Sequence, residues 1–123
     1  MSLPVNEIEI LLLHNPSCSK SRAAKDWLEE NRTNFTERLY LEDPLTETEL
    51  NDLAVRLDRP VGEWTRKGES SFGESGLSGD SSDADVIGAM AKHPSLMERP
   101  ILIRGDRAAV GRPLENFEEL LED

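Results

Sequence analysis

Ile8-Glu9-Ile10-Leu11-Leu12-Leu13-His14-Asn15-Pro16-Ser17-Cys18-Ser19-Lys20-Ser21-Arg22 carries an apolar run into a polar turn, and Ala23, Ala24, Trp27 and Leu28 follow at helical spacing. The near-continuous run Ile8 to Leu13 is that of a strand covered on both faces. Cys18 therefore falls at a strand-to-helix turn, at or just before the first helical residue. The first N–H groups of a helix have no partner within it, and the macrodipole places roughly +0.5 charge there. Both stabilise an anion, and cysteines in such settings ionise with a pKa of about 3.5–7.5. Pro16 and Ser17 suit the turn, and Ser19 and Ser21 are placed to donate to a sulfur anion or a bound oxyanion. The competing reading is a buried cysteine that only packs. The polar residues on both sides of Cys18 weigh against it.

The chain has 123 residues, a length that points to one domain over residues 1–123, and a formal net charge of −11. So acidic a balance argues against a nucleic-acid partner. No apolar run approaches the ~20 residues that span a bilayer, and no signal-peptide h-region is read near the N-terminus. The expectation is a cytoplasmic monomer without a membrane partner. Cys18 is the single cysteine. No internal disulfide can form, no cysteine cluster can hold zinc, and no metal is expected. Any cycle that oxidises Cys18 must take its second thiol from another molecule.

Outward from this stretch, the helix after Cys18 is expected to run to about Arg32. Phe35, Leu39 and Leu41 share a parity and predict a strand near 34–41. Strand, helix and strand form a right-handed βαβ unit with parallel strands. Thr46 and Glu49 make a capping box for a helix carrying Leu50, Leu53, Ala54 and Leu57, with Arg59-Pro60 ending it. Val61 to Thr65 reads as one further turn. From Lys67 to Ser82, four Gly and six Ser occur among sixteen residues. This reads as a mobile loop with a brief helical turn at about 67–82, either a passive linker or a segment that closes over a site. Asp83 is a cap for a helix with Val86, Ile87, Met90 and Ala91, stopped at His93-Pro94, where His93 is structural. Ile101–Arg104 and Arg107–Val110 flank Gly105-Asp106, a two-residue hairpin turn. Pro113 fits the first turn of a last helix with Leu114, Phe117, Leu120 and Leu121 inward. The order predicts an α/β, thioredoxin-like fold, a four-stranded mixed sheet with helices on both faces. Ligands of such sheets sit beyond the carboxyl ends of the parallel strands, the edge at which Cys18 falls.

Three arginines stand out in this acidic chain: Arg66 before the Gly/Ser stretch, Arg99 before Pro100, and Arg112 before Pro113. A guanidinium is a planar fork that matches tetrahedral oxyanions, and proline fixes the backbone beside two of them. Pro100, just before a strand and facing the cysteine loop, is the candidate for a cis proline. His14, closing its strand, is either bonded to backbone or, if protonated, a stabiliser of thiolate.

His14-Asn15-Pro16-x-Cys18, Trp64-Thr65-Arg66, Glu98-Arg99-Pro100-Ile101 and Gly111-Arg112-Pro113 together resemble the glutaredoxin-coupled arsenate reductase family. The likeness extends from Ile8 to Leu121. The variant Cys18-Ser19-Lys20-Ser21-Arg22 is most similar to the family's shorter arsenate-reductase-like members. The resemblance implies that Cys18 is the catalytic nucleophile, that Arg66, Arg99 and Arg112 bind the oxyanion, and that His14 and Ser21 tune the thiolate. It implies reduction of arsenate to arsenite through a covalent cysteine–arsenate intermediate. Glutathione would be the co-substrate, glutaredoxin the partner, and no cofactor would be bound. Two alternatives stay open: a monothiol redox protein that forms a glutathione mixed disulfide without reducing arsenate, and a redox-responsive transcriptional regulator. That regulatory branch typically carries C-x-x-C, where Ser21 stands here.

Overall fold

The computed structural model describes residues 3, 4, 6 and 8–122. The chain divides into two compact units, Met1–Asp43 with Arg99–Asp123, and Pro44–Glu98.

The first unit holds, among the described residues, a four-stranded sheet in the order β2-β1-β3-β4. Its strands are β1 (Ile10–His14), β2 (Thr36–Leu39), β3 (Ile101–Arg104) and β4 (Arg107–Val110). β1 pairs with β2 in parallel and with β3 antiparallel, and β3 with β4 antiparallel. Gly105 turns the β3–β4 hairpin at φ 59°, a left-handed value that a first-position glycine supplies without steric cost. Helix α1 (Ser19–Glu30) buries Ser21, Ala24 and Leu28, one stripe at i, i+3 and i+7. It packs with Phe117 and Leu120 of the last helix against Leu12 and Leu102 of the sheet. Full burial of each such leucine contributes about 1.5–3 kcal/mol. The opposite face, with Leu13, Ile101 and Ile103, is also buried.

β2 differs from its sequence pattern. Phe35 packs with the α1 cluster, but Leu41 is exposed, and the opposite parity buries Arg38 and Tyr40. Arg38 is accommodated there because its Nε donates to the Asp43 carbonyl at 3.0 Å and pairs with the Asp43 carboxylate at 3.3 Å. The last helix begins at Glu115, two residues beyond Pro113. The bonds from Asn116 N–H to Pro113 O and from Phe117 N–H to Leu114 O are tight i to i+3 turns that precede the α-helical ladder.

In the second unit, α2 (Glu47–Leu57) starts on the reciprocal Thr46–Glu49 capping box. It stops one residue before Arg59-Pro60, where Asp58 turns left-handed at φ 53° and bonds back to Ala54. A single 3₁₀ turn, Val61–Trp64, follows, with Trp64 fully buried. The Gly/Ser stretch contains a short helix α3 (Ser70–Glu74) with no buried residue. Helix α4 (Asp83–Lys92) is capped by Ser82, whose hydroxyl accepts the Asp85 N–H, and Asp83 is its first residue. The last helix, α5 (Glu115–Leu121), belongs to the first unit. Among the described residues no helix is long and apolar enough to cross a membrane.

Candidate active site

Register brings three connections of the first unit to one edge of the sheet. Leu13 pairs with Ile101, so the residues after β1 lie beside those before β3. Ile101 pairs with Val110, so the residues after β4 join them. The Gly111 N–H donates to the Pro100 carbonyl at 2.8 Å and carries the ladder one step further. The edge thus receives Cys18, Arg99 and Arg112 from segments far apart in sequence. The Arg99–Pro100 peptide is cis, and so is Arg112–Pro113.

Cys18 is delivered by a β-turn. Its N–H donates to the Asn15 carbonyl at 3.0 Å, with asparagine first and proline second, the residues such turns favour. The Asn15 Oδ1 also accepts the Ser17 N–H at 3.0 Å, an Asx-turn. Cys18 is then the N-cap residue of α1, in extended conformation, and is partly exposed. Burial alone would raise its thiol. That effect is outweighed by the Ser21 main-chain N–H, a hydrogen bond from the Arg99 side chain, the Lys20 main-chain N–H and the Arg99 charge, and the thiol lies below its ordinary value. Arg112 Nη2 lies 4.0 Å from the sulfur.

His14 and Ser21 are buried beneath this turn. The Ser21 hydroxyl meets His14 Nδ1 at 2.7 Å and accepts the Asn15 N–H at 3.0 Å. The Ser21 hydroxyl, expected to donate to sulfur, is instead engaged by His14 and Asn15. Burial lowers the His14 pKa, the Glu37 charge pulls against this, and Lys25 and Arg22 push further down. The imidazole is thereby shifted toward its neutral form.

Arg66 belongs to the second unit. Its N–H donates to Leu96 O at 2.7 Å, its Nη1 reaches Ser95 O at 3.4 Å, and its Nη2 pairs with Glu69 at 3.4 Å. Sequence reading placed free helix N–H groups at Cys18 but missed the steric role of Gly111. A Cβ there would stand 2.8 Å from Phe117 Cζ and 3.0 Å from Pro100 Cγ. The Gly-Arg-Pro run was the available signal. Among the described residues no group of three His, Cys, Asp or Glu side chains could hold a metal ion.

Residues 13–120 match the family model described as the ArsC family. The chain is 42% identical over 115 residues to an arsenate reductase of Neisseria meningitidis serogroup A, covering 92% of this chain and 98% of that one. It is 34% identical to an arsenate reductase of Haemophilus influenzae, covering 93% and 100%. An arsenate reductase structure from Vibrio cholerae superposes with a TM-score of 0.87 at 36% identity, covering 94% of this chain and all of that one. The mixed four-stranded sheet with its helices is the thioredoxin-like fold of those structures. From Leu13 at the end of β1 to Leu120 in the last helix, this chain belongs to the ArsC family.

Proposed function

We propose that the protein reduces arsenate to arsenite with Cys18 as nucleophile. The observation that carries the reading is one sulfur at the N-cap of a helix with Arg112 Nη2 4.0 Å away, its thiol held below the ordinary value by the Ser21 and Lys20 main-chain N–H groups and Arg99 against burial. Such a site favours both a thiolate and a bound oxyanion. The thiolate attacks the arsenic of arsenate and a water leaves, giving a Cys18–S–As(V) ester. Glutathione condenses on the same arsenic with loss of a second water. The glutaredoxin thiolate then attacks the glutathionyl sulfur. A mixed disulfide forms, the S–As electron pair passes to arsenic, and As(V) becomes As(III). Hydrolysis of the remaining bond releases arsenite and restores Cys18. The external thiols are needed because Cys18 is the only cysteine.

Arg99 and Arg112 hold the oxyanion in this scheme, and Arg66 is added to them on the resemblance. His14 and Ser21 support the thiolate from below, and no bound cofactor is required. The protein works as a monomer in the glutathione-rich cytoplasm. The test is arsenite formation by purified protein with glutathione and glutaredoxin, with Cys18→Ser alongside. Arsenite from wild type alone supports the reading. Glutathionylation of Cys18 without arsenite would assign a monothiol redox protein instead.

A further inference from the structure

The turn that delivers Cys18 has a central peptide, Pro16–Ser17, gripped at both of its polar atoms. Its N–H donates to Asn15 Oδ1 at 3.0 Å. Its carbonyl accepts from Arg22 Nη1 at 2.9 Å. Arg22 also donates its main-chain N–H to the Cys18 carbonyl at 2.9 Å. The central peptide is the one a β-turn can rotate while its ends stay in place. That rotation separates type I from type II and demands positive φ at the third residue. Here the third residue is Ser17, which has no glycine-like freedom. The peptide is planar, so its N–H and carbonyl turn together, and the Arg22 bond adds a second hold against the same rotation.

The placement of Arg22 runs against ordinary helix design. The first turn of α1 carries no acidic residue and instead holds Lys20 and Arg22, cations at the positive end of the helix dipole. The hydrogen bond to Pro16 is a specific reason for a cation there. The groups acting most directly on the sulfur are main-chain N–H groups and Arg99, so any action of Arg22 passes through the turn.

We infer that Arg22 is a positioning residue: its side chain holds the Pro16–Ser17 peptide and thereby keeps the Cys18 sulfur at the N-terminus of α1. This rests on the reading of Cys18 as the reacting thiol, but not on arsenate as substrate.

The experiment measures iodoacetamide alkylation of Cys18 from about pH 4 to about pH 9 in wild type and Arg22→Met, at low salt and at about 1 M salt, where the Debye length is about 3 Å. Arg22 is exposed, so Arg22→Met is expected to fold. Arg22→Ala is a second removal of the same bond should it not, and circular dichroism checks both. The expected result is a higher midpoint in the variant and alkylation about fivefold slower at pH 6, the size of one net hydrogen bond. The rates meet on the alkaline plateau, and the gap persists in high salt. A variant profile that overlays wild type overturns the inference. So does a gap that closes in high salt, which would make Arg22 a distant charge. If wild type itself titrates near 8.5, the reading of Cys18 falls and the inference falls with it. A low wild-type midpoint shared by the variant removes the inference alone.

Discussion

Arg112 is tied to Arg99 through the backbone: its Nε donates to the Arg99 carbonyl at 2.7 Å, and its Nη2 lies 4.0 Å from the Cys18 sulfur. Nε of Arg112 is thus spent on position while Nη2 lies toward the thiol. Lysine keeps the charge but has a single nitrogen, so Arg112→Lys is expected to weaken oxyanion binding. Alanine at Arg99 or Arg112 removes charge-assisted bonds worth about 1.5–3 kcal/mol each, or roughly tenfold to a hundredfold in affinity. The measurement is protection of Cys18 from alkylation by sulfate, phosphate and arsenate. Wild-type protection in the Arg66→Ala, Arg99→Ala and Arg112→Ala proteins alike would refute the oxyanion site.

Gly111 sets the spacing of the same edge. A Cβ at this position would meet Phe117 Cζ at 2.8 Å and Cε1 at 3.0 Å, and Phe117 is fully buried. Relief requires moving that ring or Pro100, whose carbonyl accepts the Gly111 N–H. Gly111→Ala is expected to lose about 1–3 kcal/mol of stability, the usual cost of overpacking, seen as a lower denaturant midpoint. It should also weaken anion protection of Cys18, because Arg112 is the next residue. Wild-type stability would show that the ring gives way freely.

Where local chemistry decides an element, the sequence was sufficient. The Thr46–Glu49 capping box forms with both bonds, and the hairpin strands run Ile101–Arg104 and Arg107–Val110 around Gly105. Asn15-Pro16 places Cys18 at the helix N-cap because both residues favour a turn on their own account. Features set by side-chain packing were not legible. Arg38 is buried because of Asp43, Gly111 must be glycine because of Phe117, and the Ser21 hydroxyl faces His14 rather than the sulfur. Polar side chains a few residues from a cysteine look alike in sequence, and only the packing decides which atom reaches it.

Ser21 has two neighbours that depend on its hydroxyl. Ser21→Ala leaves His14 Nδ1 and the Asn15 N–H without the partner they share. An unsatisfied buried group costs about 1–3 kcal/mol, so chemical denaturation should show a loss in that range. The main-chain N–H of residue 21 remains, so the sulfur keeps that donor. A stability change near zero would mean that the hydroxyl bonds carry no net weight.

His14 links stability to pH with a definite sign. Its folded pKa is depressed, chiefly by burial, so the unfolded chain binds the proton more readily. Its contribution is fully present above the unfolded imidazole value of about 6.5. It is lost as pH falls from there through the folded value. His14→Gln should lower stability at pH 7, and the gap to wild type should narrow as the pH drops below about 6.5. A constant gap across that window would count against a titrating His14.

Cys18 has the same sign over a higher window. Its folded pKa is also depressed: burial raises it, but the Ser21 N–H, the Arg99 side chain and the Lys20 N–H together lower it further than burial lifts it. Between the folded value and the unfolded value of about 8.5, the native protein holds a thiolate where the unfolded chain holds a thiol. The stabilisation is complete above the unfolded value and disappears as pH falls through the folded one. Cys18→Ser removes this titration, so the stability gap between wild type and variant should widen from acid pH toward about 8.5 and then stay level. The reactivity of the free protein supplies an independent reading of the same equilibrium. Iodoacetamide at pH 6 should alkylate Cys18 clearly faster than free cysteine, since only the thiolate reacts. Replacing Arg99 by alanine removes a hydrogen bond and a charge from the sulfur together, so the alkylation midpoint should rise and the acid end of the stability gap should move with it. An unchanged midpoint with a changed rate on the alkaline plateau would place the Arg99 effect on access to the sulfur rather than on its ionisation.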